Sequence, residues 1–151
     1  MAVRHILFVC TGNTGRSVAA EALAHRMIAD RGVAVSVASR GIAVDAANHR
    51  TEPHVATLLA ARGIDVSAHH ARQVTAADID AADQVLTMTA THKQRVLNAF
   101  PSGAAKVRML SEAANGTHDD VSDAFGAPLA TCTSMLARLE ALVAAALTRL
   151  A

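Results

Sequence analysis

The stretch Val3-Arg4-His5-Ile6-Leu7-Phe8-Val9-Cys10-Thr11-Gly12-Asn13-Thr14-Gly15-Arg16-Ser17 decides how the chain is read. Val3 to Val9 is a short, β-rich apolar run of the kind that forms a buried strand. Thr11 to Gly15 are loop residues. From Arg16 a helical pattern begins, with Ala19, Leu23 and Met27 on one stripe, and it stops near Gly32. A strand, a glycine-bearing loop and a helix start turn successive backbone N–H groups inward. Such a ring at a helix N-terminus takes a phosphate-like anion. Gly12 and Gly15 are expected to give the loop conformations that a Cβ would resist. The same field favours a sulfur anion at the centre of the ring, where Cys10 stands as the first loop residue. Arg16 offers a planar fork able to hold two phosphate oxygens into the transition state. The Ser17 hydroxyl is placed to donate to the sulfur, and Asn13 to hold the loop shape through side-chain to backbone hydrogen bonds. The loop is not a Walker loop, because the Gly-Lys-Ser/Thr ending is missing, and the three-glycine dinucleotide fingerprint is absent.

Outward from this segment, strands and helices alternate. Val33 to Ala38 reads as a second strand, and Gly41 to Asn48 as loop. Glu52-Pro53 opens a helix that runs to Gly63, and Ile64 to Thr75 is irregular. A short helix is expected over Ala76 to Ala81 and a third strand over Gln84 to Met88. A helix over Ala90 to Ala99 is stopped by Phe100-Pro101-Ser102-Gly103, and a fourth strand follows over Lys106 to Leu110. Ser111 to Gly126 reads as a polar loop. Leu129, Cys132, Met135, Leu136, Leu139, Leu142, Val143, Leu147 and Leu150 then mark a long amphipathic helix with Pro128 near its first turn. Alternation of this kind implies right-handed crossovers and a parallel sheet, hence one α/β domain over residues 1–151.

Composition narrows the function. The formal net charge of +1 marks no general nucleic-acid or membrane binder. The apolar N-terminal run carries Arg4 and His5 and lacks a small-residue cleavage site, which argues against a signal peptide. No uninterrupted apolar run approaches the roughly 18 residues of a membrane span. Two cysteines, Cys10 and Cys132, make no disulfide framework, and a reducing cytoplasm is the expected setting. Cys132 falls on the apolar stripe of the last helix and reads as a small buried hydrophobe. The eight histidines include no pair with ligand spacing on one helix, so neither a metal nor another cofactor is expected. His54 and His92 fit helix surfaces or a structural role better than metal coordination.

A phosphoryl leaving group needs a proton, and a carboxylic acid on an adjacent loop is the usual source. The polar loop offers Asp119, Asp120 and Asp123. The first two read as solvated loop charge. Asp123 is the candidate acid, because Phe125 beside it can wall a pocket.

At this point the sequence resembles the low-molecular-weight protein tyrosine phosphatase family. Cys10 to Ser17 matches its phosphate loop. Ser39-Arg40-Gly41 stands at its Ser-Ala-Gly turn, His69, Arg72 and Gln73 at its His-x-x-Arg-Gln stretch, and Ala82 to Met88 at its third strand. Asp123-Ala124-Phe125-Gly126 matches its Asp-Pro-aromatic-Gly acid loop. The resemblance implies a three-layer α/β/α fold with a four-stranded parallel sheet. It also implies a metal-free, two-step mechanism on a phosphorylated protein. Cys10 forms a cysteinyl-phosphate, Arg16 holds the phosphoryl group within the loop Thr11 to Ser17, and Asp123 acts as acid and then as base. Within the family the chain looks most like the bacterial protein-arginine phosphatases. Their loop carries Thr at the position of Thr14, where tyrosine-selective members tend to carry a larger aliphatic residue. Met88-Thr89-Ala90-Thr91-His92-Lys93-Gln94 also looks like the arginine version. The scarcity of aromatics fits: there is no Trp or Tyr and only three Phe. A phosphotyrosine ring wants flat aromatic walls, whereas Phe125 and Asp123 together would suit a guanidinium.

Three other functions use the same fold and loop. They are a tyrosine phosphatase, an arsenate reductase working with an external thiol, and an inactive phosphate-binding module. Departures from the family pattern bear on rate and repair. Ala124 stands where proline is usual, which is expected to loosen the acid loop unless other contacts hold it. Gly15 stands where some members carry a second cysteine, so oxidised Cys10 has no adjacent thiol to protect it. Oligomeric state is open from sequence.

Overall fold

Strand β1 (His5–Cys10) becomes an inner strand of a four-stranded parallel sheet. It lies between β2 (Ser36–Gly41) and β3 (Gln84–Thr87), with β4 (Val107–Met109) at the far edge, in the order β2-β1-β3-β4. The computed structural model describes residues 3–151. The pleat divides the apolar run of β1 between two cores. Ile6, Phe8 and Cys10 face one layer, made by α1 (Arg16–Arg31), α2 (Pro53–Ala61), α5 (Leu110–Asn115) and α6 (Leu129–Leu150). Leu7 and Val9 face the other, made by α3 (Ala76–Ala81) and α4 (Ala90–Ala99). A strand covered on both sides needs apolar residues at every position, which is why this one reads as a continuous run. Each fully buried Leu, Ile or Phe contributes roughly 1.5–3 kcal/mol. The α/β/α layering and the parallel sheet are as expected.

Two elements differ from the expectation. The second strand begins at Ser36 and runs to Gly41, so Ser39-Arg40-Gly41 is strand rather than turn. The alternation of Val33, Val35 and Val37 is local. The strand limits are instead set by pairing along the whole of β1, from His5↔Ser36 to Cys10↔Gly41. This register brings Gly41 against the phosphate loop. A Cβ at Gly41 would lie 2.6 Å from the Thr11 carbonyl oxygen, a distance only glycine avoids. Arg40 bonds the Ser39 carbonyl (2.7 Å) and Asp78 (3.2 Å), tying β2 to the capping box of α3.

The second difference is α5, which occupies the first part of the expected polar loop. Leu110, Ser111, Ala113 and Ala114 are buried. The Glu112 carboxylate accepts from Met109 N–H, and Gly116 closes the helix with a left-handed φ of 76°. α6 is long and apolar enough to cross a membrane by length and composition alone. Its stripe of Leu136, Leu139, Val143 and Leu147 is instead buried in the core with Ala19, Leu23 and Ala113.

Candidate active site

The loop from Cys10 to Ser17 leaves the C-terminal end of β1 and enters α1, as the strand–loop–helix pattern predicts. Cys10, Thr14 and Arg16 line a cleft closed on its other side by Glu52, Asp123 and Phe125. Thr11, Gly12 and Gly15 also line it. Asn13 and Ser17 do not; both are fully buried behind the loop.

Asn13 is the organiser. It has a φ of 56°, the one left-handed non-glycine residue among the described residues, whereas neither Gly12 nor Gly15 has a positive φ. A Cβ at Gly15 would meet nothing within 4 Å, and one at Gly12 only the Thr14 hydroxyl at 3.7 Å. The conformational freedom expected of the two glycines is therefore taken up by Asn13. Hydrogen bonds compensate its strain. Its amide donates to Ser17 Oγ (2.8 Å) and Ser39 Oγ (2.9 Å), and its side-chain oxygen accepts from Arg72 N–H (3.0 Å). Its carbonyl accepts from His69 Nε2 (2.7 Å). Ser17 Oγ, receiving the Asn13 amide, lies 2.9 Å from Cys10 Sγ. Gln73 secures the neighbouring loop by accepting from Val44 N–H and donating to the Ile42 carbonyl. His69, Arg72 and Gln73 thus all brace the loop region.

Sequence reasoning missed His92. It is not on a helix surface: it is buried, with Nε2 2.8 Å from Thr11 Oγ1, and Nδ1 has no hydrogen-bond partner among the described residues. Burial, with Arg16 and Arg95 nearby, pushes its pKa down to about 4, so the ring is neutral near pH 7. Its signal in the sequence was weak, because its partner lies 81 residues away.

The acid loop crosses above. Asp120 is not merely solvated: its carboxylate accepts from Ala90 N–H at the start of α4 (2.9 Å). Val121 N–H donates to the Met88 carbonyl (2.8 Å), and the Val121 carbonyl accepts from Arg16 Nη1 (2.9 Å). The other guanidinium nitrogen of Arg16 lies 3.8 Å from the Asp123 carboxylate. Asp123 also accepts from Phe125 N–H (3.0 Å), closing a tight turn rather than capping α6. Phe125 is 61% exposed at the cleft mouth. Ala124, in place of the usual proline, is buried, and its carbonyl receives Ala127 N–H (3.0 Å) and the Cys132 thiol (3.6 Å). Other contacts therefore hold the loop at both ends. Burial, with the charges of Glu52 and Asp123, pushes the Cys132 pKa up, as its reading as a buried hydrophobe implies.

A thiol at the end of a parallel strand, ringed by a loop that opens a helix and carries a buried arginine, defines the cysteine-phosphatase class. The chain belongs to the low molecular weight phosphotyrosine protein phosphatase family, whose model matches residues 5–151, and it is a phosphatase of that type. It is 36% identical over 139 residues to a protein-arginine-phosphatase of Geobacillus stearothermophilus, covering 91% of this chain and 90% of that one. It is 39% identical over 121 residues to the protein-arginine-phosphatase of Bacillus subtilis (strain 168), covering 80% and 79%. The crystal structure of a low molecular weight protein tyrosine phosphatase from T. tengcongensis superposes with a TM-score of 0.92 at 30% identity, covering 97% of this chain and 99% of that one.

Proposed function

We propose that the protein hydrolyses phosphoarginine in proteins through a cysteinyl-phosphate on Cys10, with Asp123 as acid and base. The make-up of the cleft carries the substrate assignment: one aromatic ring, Phe125, and two carboxylates, Glu52 and Asp123. A guanidinium has one face to stack and several N–H groups to satisfy, and this wall supplies both. A tyrosyl ring would need more flat apolar surface. The arginine-phosphatase relatives support the same reading.

In the first step the Cys10 sulfur attacks phosphorus in line, and the bond from phosphorus to the guanidine nitrogen breaks. Asp123 gives its proton to that nitrogen. The backbone N–H groups of Thr11 to Ser17 and the Arg16 guanidinium take the developing charge on the phosphoryl oxygens. To do so, Arg16 turns from the Asp123 carboxylate toward the phosphoryl group while Nη1 keeps the Val121 carbonyl. The Ser17 hydroxyl, oriented by Asn13, donates to the sulfur when it is an anion. In the second step Asp123 takes a proton from water, the water oxygen attacks phosphorus, and the S–P bond breaks to release inorganic phosphate. Both cysteines are free thiols, which suits a reducing compartment such as the cytoplasm.

The rival reading is a tyrosine phosphatase, and Thr14 separates the two. The expected outcome is a higher kcat/KM on phosphoarginine than on phosphotyrosine peptides, with Thr14→Ile shifting the ratio toward tyrosine by about tenfold or more. An unchanged ratio removes Thr14 as selector, and a wild-type preference for phosphotyrosine overturns the substrate assignment.

A further inference from the structure

At the cleft wall formed by Glu52, and behind it, Glu52, His54 and Cys132 bring a carboxylate oxygen, an imidazole nitrogen and a sulfur within 4.8 Å of one another. Glu52 caps α2, His54 is the second residue of that helix, and Cys132 lies in the first turn of α6. We propose that these three side chains form a binding site for a zinc-type divalent ion beside the cleft, with Glu52 shared between the two, and that filling it releases the acid loop.

The donor set fits the ion. Zinc accepts sulfur, imidazole nitrogen and carboxylate oxygen together, and three protein ligands leave its fourth tetrahedral position to water. Bond lengths of about 2.0–2.3 Å put tetrahedral ligand atoms roughly 3.5 Å apart. Cys132 Sγ and His54 Nδ1 are already 4.0 Å apart, about half an ångström more than that spacing. One Glu52 oxygen accepts from Val55 N–H (3.0 Å), which aims the carboxylate and leaves the other oxygen for a ligand. Glu52 is buried, yet no Lys or Arg pairs with it among the described residues. A divalent ion would neutralise that charge where no side chain does. His54 is half-buried and provides the way in.

The same groups now tether the acid loop. His54 Nδ1 donates to the Ala127 carbonyl (3.2 Å), and the Cys132 thiol to the Ala124 carbonyl (3.6 Å). To bind metal, Cys132 gives its proton to solvent, and His54 keeps a single proton on Nε2 with Nδ1 as ligand. Both carbonyls then lose a side-chain donor, and they flank Phe125 and Gly126 just beyond Asp123. An occupied site therefore holds the acid less firmly.

The test uses the full chain carrying Cys10→Ser, in which Cys132 is the remaining thiol. Titration with cobalt(II) is expected to give one equivalent bound, with a thiolate-to-cobalt charge-transfer band that zinc displaces. Adding Cys132→Ala or His54→Ala should abolish the band and weaken zinc binding at least tenfold. Circular dichroism confirms that each variant is folded, and the part-exposed His54 is the safer substitution. A band and an affinity retained in either folded variant overturn the site. With Cys10 intact, zinc is expected to lower kcat, and His54→Ala to be at least tenfold less sensitive. Equal sensitivity overturns the link to the acid loop. Because the cobalt measurement uses no substrate, it stands apart from the assignment of phosphoarginine.

Discussion

The two loops that meet over Cys10 are built on opposite plans. The phosphate loop is buried and cross-linked: Asn13 alone joins it to Ser17, Ser39, His69 and Arg72. The acid loop is tied at its ends but open at Asp123, whose side chain is 58% exposed and held by its own turn and a long ion pair to Arg16. On the mechanism proposed above, the nucleophile is held in place ahead of substrate, while the acid keeps room to move. Preorganisation is concentrated where charge develops on phosphorus, and freedom is left where substrate must enter and product leave.

Four changes break or sharpen this contrast. The largest compares Cys10→Ser with Asp123→Asn on an aryl phosphate and a phosphoarginine peptide. Loss of the nucleophile should abolish turnover, by about 10⁴-fold or more, on both. Loss of the acid should cost about 10²–10⁴-fold on the peptide and less on the aryl phosphate, whose leaving group needs less help. Steady-state kinetics decides it, and equal losses on both substrates would deny Asp123 the acid role.

Next is Asn13→Ala, which leaves a left-handed alanine and strips the buried Ser17 and Ser39 hydroxyls and the Arg72 N–H of a partner. A loss of about 2–4 kcal/mol in a denaturant midpoint is expected, together with a fall in kcat. A fully stable variant would mean that the loop is not held by Asn13.

The third concerns His92. Its folded pKa, about 4, lies below the ordinary histidine value of 6.5. Between these values the unfolded chain binds more protons, so stability should be complete above pH 6.5 and fall toward pH 4, by on the order of 2–3 kcal/mol. His92→Gln should flatten that slope in thermal melts across this range, and a slope of unchanged size would assign it to other groups. The smallest effect is expected of Ala124→Pro, which stiffens the unfolded chain and the acid loop by about 0.4–1 kcal/mol. A rise in Tm with kcat changed no more than a few-fold would show that the existing tethers already suffice.

What the sequence made legible follows the same division. The phosphate loop was readable because its working groups are contiguous, from a single strand end into a helix start. Asp123 stood out only beside Phe125 and through the family pattern. Helix α5 was hidden because six residues are too few for helical periodicity, and Glu112 with Gly116 was the faint cue. The limits of β2 were misjudged because Val33, Val35 and Val37 alternate locally, whereas pairing to β1 is a property of the fold. Glu52 read as a helix opener, which it is, but its place on the cleft wall was not legible, and His92 read as a surface residue, because those places are made by distant segments.

The position of α6 in the chain carries one more consequence, for synthesis on the ribosome. Cys10 and the α1 face behind it are translated before α6, and the core that covers them is completed by Leu136, Leu139, Val143 and Leu147. Until those residues emerge, the nascent chain has an uncovered apolar layer beside its reactive sulfur. The Cys10 sulfur is thus made before the helix that completes the core around it, so an oxidant present between those two moments meets it without the cover of the finished fold.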